Sequence, residues 1–465
     1  MKNIIIKGGL VVSEDAEEVC DILCSGEKIK QIGKHISAAG AEVIDAAGMV
    51  VIPGGVDVHT HLCLDTGAAV VGDDFYTGTL AAAWGGTTTI VDHPGFGPAN
   101  CSLDHQIKKY HELARNKAVI DYGFHGVIQH VNDDVLSKMA GLAEEGIASF
   151  KLYTTYGYKL CDKDIIKVFE RAKELGVWIA VHCENDGAVN HLKEKFKSEE
   201  KLSSRYHSLS RPPEAEAEAV SRMVLLAKMA NESPLYIVHL TNSMALEFVK
   251  SARARGQKNL YVETCPQYLF LDESLYDLPG SEGLKYIMCP PLRGAFDREA
   301  LWQGLVSDID IVGTDHCPFF FETQKSVHAG DFTQCPSGAP GIEERVPLMY
   351  SEIVAKNRLG GSGLRRFTEL CSAAPAKLFG LYPQKGVIKE GSDADIVIID
   401  PAKRGAISHA ALHANVDYSA YEGIEVHGWP VCTISRGEVI IRGGTASAKP
   451  GRGRFLKRKT LNLDI

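Results

Sequence analysis

Between residue 54 and about residue 384 of this 465-residue chain, short apolar runs alternate with amphipathic helical stretches. Nothing else in the sequence limits the fold as strongly. The runs lie at 56–59, 88–92, 119–127, 149–153, 178–182, 235–239, 260–264 and 309–314. Each is rich in β-branched or aromatic residues and short enough to be a buried strand. The stretches between them carry helix punctuation. Residues 74–84 start at an Asp and stop at Gly85-Gly86, 103–117 are amphipathic, and 162–175 stop at Gly176. Residues 213–230 open on Pro213 and a run of glutamates, which suits the positive end of a helix dipole. Eight strand–helix units over this length predict an α/β fold, a (β/α)8 barrel of TIM type.

The flanking segments have another rhythm. Residues 3–12, 19–32 and 42–52 read as strands, with turns at Gly8-Gly9, Ser25-Gly26 and Gly48. The pattern returns at 386–388, 394–399, 426–435 and 438–442. A barrel brings its two ends close together, so these segments are expected to meet in one discontinuous β-sandwich. The expected boundaries are 1–53 (sandwich, first part), 54–384 (barrel), 385–442 (sandwich, second part) and 443–465 (C-terminal tail). The connections 185–212 and 318–343 are rich in Gly, Pro and polar residues and are expected to be loops that shape a site.

Composition excludes several functions. A formal net charge of −9 argues against nucleic acid as a partner. The basic stretch 452–459 is too short to reverse this and is expected to be a solvated or docked terminus. No apolar run reaches the ~18 residues of a membrane helix, and the first apolar run is too short for a signal peptide. The 12 cysteines are scattered singly with no C-x-x-C pair, which fits a reducing cytoplasm.

Chemistry in such a barrel sits at the C-terminal ends of the strands. The first strand ends in Val56-Asp57-Val58-His59-Thr60-His61, where strand geometry points both imidazoles the same way. His182 and His239 end two further runs, and Asp315 follows the last. Any one of these histidines alone reads more readily as a structural residue than as a ligand. Four at one rim with an Asp read as a metal site, and imidazole with carboxylate favours Zn or a neighbouring divalent ion over Mg or Ca. Lys151, in Ser149-Phe150-Lys151-Leu152-Tyr153, is the odd member. It is either an outward strand lysine or a neutral amine that adds CO2 to give N6-carboxylysine. That carbamate could bridge two metals roughly 3.5–4 Å apart.

The order His-x-His, Lys, His, His, Asp resembles the binuclear amidohydrolase superfamily. Within it the chain is similar to the cyclic-imide hydrolases, namely dihydropyrimidinases, hydantoinases and phenylhydantoinases. The likeness spans essentially the whole chain. It rests on Pro53-Gly54-Gly55 before the first strand, Asp73-Asp74-Phe75-Tyr76-Thr77-Gly78-Thr79, Gly85-Gly86-Thr87-Thr88-Thr89, Glu263-Thr264-Cys265-Pro266-Gln267-Tyr268-Leu269, Pro290-Pro291-Leu292-Arg293, Thr314-Asp315-His316-Cys317 and Gly391-Ser392-Asp393-Ala394-Asp395. Residues 92–98 and 124–130 look most like the phenylhydantoinase branch.

The resemblance implies two divalent metals per subunit, Zn first with Mn or Co as alternatives. His59 and His61 would hold one and His182 and His239 the other. Carboxylated Lys151 would bridge them, and Asp315 would bind the first metal and act as base. Tyr156 would hydrogen-bond the substrate carbonyl. Cys289 and Ser337 stand where the family usually has Ser and Asn, at positions that contact the cyclic amide largely through backbone. The implied reaction opens 5-substituted, aromatic hydantoins to N-carbamoyl amino acids with D selectivity, in a homotetramer. The alternative is a dihydropyrimidinase that opens dihydrouracil or dihydrothymine to ureido acids. Dihydroorotases and allantoinases place an Arg shortly after His-x-His, whereas Leu62-Cys63-Leu64 follows here and suits an apolar substituent. A mononuclear deaminase has no need of Lys151, and a non-catalytic relative would have lost ligands that this chain keeps. Side-chain selection is expected in the loops 62–72, 93–98 and 153–159.

Overall fold

The computed structural model of the chain describes residues 3–361 and 363–461. Met1, Lys2 and the last four residues of the expected tail lie outside the described residues. Eight parallel strands form the barrel: β1 (Gly55–Thr60), β2 (Thr87–Asp92), β3 (Asp121–Phe124, continued by Gly126–Val127), β4 (Ser149–Tyr153), β5 (Trp178–His182), β6 (Leu235–Ile237), β7 (Leu260–Thr264) and β8 (Ile311–Val312). Neighbours pair in sequence order, and a parallel bridge from Thr60 to His316 joins the first strand to the segment after the last. Almost every strand residue is buried, as expected of a parallel sheet with helices packed around it.

Two expectations for the barrel change. The third strand is interrupted at His125, whose ring turns inward to reach Ser149 and the Val58 carbonyl. The connection 185–212 is largely helical. Asn185 caps Asp186–Ser198 by accepting from the Ala188 N–H, and Arg205–Leu209 adds a further turn. That first helix buries only Val189, so its sequence lacks the apolar period that would announce it.

The flanking strands form one continuous nine-stranded sheet in which N-terminal strands meet C-terminal ones. The junction is Val50–Pro53 against Ile396–Ala406, paired antiparallel from Pro53–Ile396 to Val50–Ile399. Bulges between Ile6 and Gly9 and between Ile398 and Ile399 bend the sheet. It wraps its own core of Ile4, Ile6, Ile22, Val51, Ile396 and Ile434, separate from the barrel core. No strand forms at 386–388, although Ile388 is buried in that core.

A buried charge cluster pins sheet and barrel together. Lys385 Nζ donates to Asp121 and Asp395, each at 2.6 Å, and lies 3.0 Å from Asp393. The basic tail then runs along the chain's own barrel floor. Gly453 N–H donates to Ala118 O, Leu456 to Tyr122, Arg458 to Gly146 and Leu461 to Gly176. Arg454 pairs with Glu27. Among the described residues, no helix is long and apolar enough to cross a membrane.

Candidate metal centre

The carboxyl ends of the strands open into a cavity of about 940 Å³. His59, His61, Lys151, Tyr156, His182, His239, Cys289, Asp315 and Ser337 all line it. The structure therefore brings every residue singled out in the sequence into one space.

Local structure explains the placement. Asp57 accepts from the His59 N–H at 3.1 Å and from the Thr314 hydroxyl at 2.6 Å, tying the strand of His59 to the segment that carries Asp315. Asp92, at the end of β2, accepts from Thr60 Oγ1 at 2.7 Å and from the Leu62 N–H at 2.9 Å. These two bonds hold the backbone on either side of His61. Burial pushes the Asp92 carboxyl up to about 8. Tyr156, His239 and Asp315 have φ of 73°, 39° and 52°, in the left-handed region that L-residues seldom occupy. Such strain gathers where a site must aim side chains that regular structure would not.

Oδ1 of Asp315 lies 3.1 Å from Nε2 of both His59 and His61. One ligand atom from each of these three residues falls within 4.8 Å of the others. On the opposite side, His239 Nε2 and His182 Nδ1 are 2.9 Å apart. Lys151 is buried beside Tyr153, its Nζ 5.6 Å from the ring centre.

The electrostatics suit a cation. Burial opposes charge on His59, but Glu263 and Asp315 outweigh it and push the imidazole up to about 9. Burial opposes ionisation of Asp315 too, yet the neighbouring imidazoles hold its carboxyl well below the usual range. Burial alone pulls the Lys151 amine down to about 8. The donor set of imidazole nitrogen and carboxylate oxygen fits Zn or a similar divalent ion. His59 Nε2 and His61 Nδ1 are buried without a hydrogen-bond partner, and His59 Nε2 faces Asp315, so the residues present fit the group.

Several contributors were not singled out in the sequence. Glu263 accepts from His59 Nδ1 at 2.5 Å. Glu184 accepts from His182 Nε2 at 2.7 Å and is paired with buried Arg211 at 2.5 Å. Glu184 follows His182 by two residues, a spacing that could have signalled a shared side. His93, just after β2, stacks on His125 with ring centres 3.8 Å apart. In the outer cavity Phe96 packs against Tyr153 and Tyr158, with centroids 4.9 and 4.8 Å apart. With Leu64 this makes an apolar wall beside the polar floor. Burial holds the Tyr156 hydroxyl protonated, well above the ordinary phenol range.

The barrel, its sheet domain and this rim define a class, and the chain belongs to the amidohydrolase family, whose model matches residues 50–440. It is 50% identical over 459 residues to a D-phenylhydantoinase of Escherichia coli O1:K1 / APEC, covering 98% of each chain. Among solved structures it is similar to the dihydropyrimidinase of Brevibacillus agri NCHU1002, with TM-score 0.96, 42% identity and 99% of each chain covered. It is equally similar in shape to the D-hydantoinase of a Bacillus sp. AR9, with TM-score 0.95, 43% identity, and 99% of this chain and 100% of that one covered.

Proposed function

We propose that the chain hydrolyses the cyclic amide bond of 5-substituted, preferentially aromatic, hydantoins to N-carbamoyl amino acids. The observation that carries this reading is the convergence of four imidazoles, Asp315, Lys151 and Tyr156 on one cavity with an aromatic outer wall. His59, His61 and Asp315 would hold one divalent cation and His182 and His239 a second. Lys151, whose lowered amine pKa leaves a neutral fraction near pH 7, would take up CO2 and bridge them as a carbamate. Bound there, the cations would supply hydroxide from water near neutral pH and a positive field for a developing oxyanion. Zn suits the donors best, with Mn or Co as alternatives.

The chain's own residues then do the following. Tyr156, kept protonated, donates to the imide carbonyl oxygen as negative charge grows on it. Asp315, kept ionised, accepts the proton of the attacking water and passes it to the ring nitrogen as the C–N bond breaks. The segments around Cys289 and Ser337 frame the cyclic amide. Leu64, Phe96, Tyr153 and Tyr158 receive the ring substituent, and we infer D selectivity from the likeness to D-hydantoinases.

The second reading, dihydropyrimidinase, is favoured by the solved relative of that name and uses the same chemistry on a six-membered ring. A panel of hydantoins and dihydropyrimidines with metal analysis decides between them. A larger kcat/KM for 5-phenylhydantoin than for dihydrouracil supports the hydantoinase reading, and the reverse order overturns it. We further infer a cytoplasmic homotetramer. The 12 free thiols fit the first part. Met244, Phe248 and Phe296, exposed on the outer helices, fit the second. Analytical ultracentrifugation checks the assembly.

A further inference from the structure

We infer that Glu263 is a positioning residue that couples the two cation positions to each other. The inference rests on the two-cation reading above and concerns what keeps its two halves in register. Glu263 lies in β7, its side chain fully buried. Its Oε1 accepts from His59 Nδ1 at 2.5 Å and from the His239 backbone N–H at 3.0 Å. Its Oε2 accepts from the Tyr236 hydroxyl at 2.8 Å. One carboxylate therefore touches the imidazole assigned to the first cation and the backbone that presents the imidazole assigned to the second.

Three physical consequences follow from these contacts. First, the 2.5 Å contact leaves no room for an ion between His59 and Glu263, because each metal–ligand bond takes about 2 Å. Glu263 acts through His59 and is not itself a ligand. With Nδ1–H donated to a carboxylate, His59 turns the lone pair of Nε2 toward the cavity and becomes a stronger donor. Second, His239 has φ of 39°, in the left-handed region that L-residues seldom occupy, and such a conformation needs an external hold. The bond from its N–H to Glu263 supplies that hold. Third, the carboxylate has one available position. A Cβ at Gly313 would lie 2.6 Å from Oε2, so the residue just after β8 leaves space for this group by carrying no side chain.

The other buried carboxylate of the rim behaves differently. Glu184 reaches His182 alone, and Arg211 neutralises it. The two glutamates thus predict an asymmetry. Loss of Glu263 disturbs both cations, and loss of Glu184 disturbs one.

The test reconstitutes the full-length protein and its Glu263→Gln and Glu184→Gln variants with Zn, then follows metal release to a chromophoric chelator. Co-substituted samples give a parallel visible spectrum. The unmodified protein is expected to hold two cations per subunit. In Glu263→Gln both are expected to leave about 10–100-fold faster, the range typical of losing a group that orients a metal ligand. The cobalt bands of both positions should shift. In Glu184→Gln only one release phase should accelerate. Accelerated release of one cation, or of neither, from Glu263→Gln overturns the coupling while leaving the metal centre standing. Fewer than two cations in the unmodified protein overturns the metal-centre reading itself, and the coupling with it. If Glu263→Gln does not fold, Tyr236→Phe withdraws only the phenol from Oε2. A severalfold faster release of both cations then supports the coupling, and unchanged rates refute it.

Discussion

Nε2 of His239 and Nδ1 of His182 face each other at 2.9 Å, across the carboxyl ends of neighbouring barrel strands. Burial pulls the proton affinity of both imidazoles down, so both lone pairs stay available near neutral pH. Two buried nitrogens can satisfy each other with only one shared proton. A cation between displaced rings would satisfy both, and the rest of the rim has the charge to receive it.

Lys151→Ala is expected to lose metal and more than a hundredfold of activity, since a bridging group matters more than the ~10–100-fold of an orienting one. Short carboxylic acids should restore part of both. Metal content per subunit, with and without added acetate or propionate, checks this. Two tightly held cations in the variant would sink the carbamate.

Tyr156→Phe removes one donor to the developing oxyanion and nothing from the metal ligands. The kcat should fall by roughly 10²–10³-fold, as for loss of a single oxyanion-hole donor, with metal content unchanged. A drop of under fivefold would assign Tyr156 to packing.

The aromatic wall carries the substrate preference. Phe96→Ala opens the contacts to Tyr153 and Tyr158. It should lower kcat/KM for 5-phenylhydantoin about tenfold, corresponding to ~1.4 kcal/mol of lost apolar contact, and leave the unsubstituted ring nearly unchanged. Equal losses on both substrates would move the specificity elsewhere.

His207 supplies a pH dependence of stability away from the rim. Burial pulls its imidazole down to about 3, and it hydrogen-bonds the Met288 carbonyl at 2.8 Å. The unfolded value is about 6.5, so below that pH the unfolded chain binds a proton that the folded chain refuses. Its contribution is intact above pH ~6.5 and falls between there and about 3, at up to about 1.4 kcal/mol per pH unit. Denaturant unfolding of His207→Gln across pH 4–7 should give a shallower slope than the unmodified protein. Parallel slopes would exclude His207 as the source.

Lys385 sits among three carboxylates with its side chain wholly buried. Lys385→Met leaves those carboxylates short of a counter-charge and should destabilise the fold by roughly 3–5 kcal/mol, while activity per folded molecule is unchanged. A loss below about 1 kcal/mol in equilibrium unfolding would show the cluster to be dispensable.

Much of this molecule is legible in the chain because two periodicities do the work. The apolar runs at 149–153, 178–182 and 260–264 reappear as strands with the same ends. Once the strands are aligned, the residues at their ends necessarily share a rim. What the sequence hides is whatever depends on side chains meeting across the barrel. Glu263 opens the motif Glu263–Leu269, yet nothing local says that it reaches a histidine 204 positions away. The stack of His93 on His125 depends on the break in β3, which no propensity announces. The helix after Asn185 hides for the opposite reason, because it buries too little to show a period.

The tail along the barrel floor has a further consequence for how the protein is made. Residues 453–461 supply hydrogen bonds to the segments leading into β3, β4 and β5 and to Gly380. Ile396–Ala406 completes the sheet begun by Val50–Pro53. A ribosome must therefore release nearly the whole chain before either layer can close. The rim residues, from His59 to Ser337, are all synthesised before the segments that close the floor beneath them.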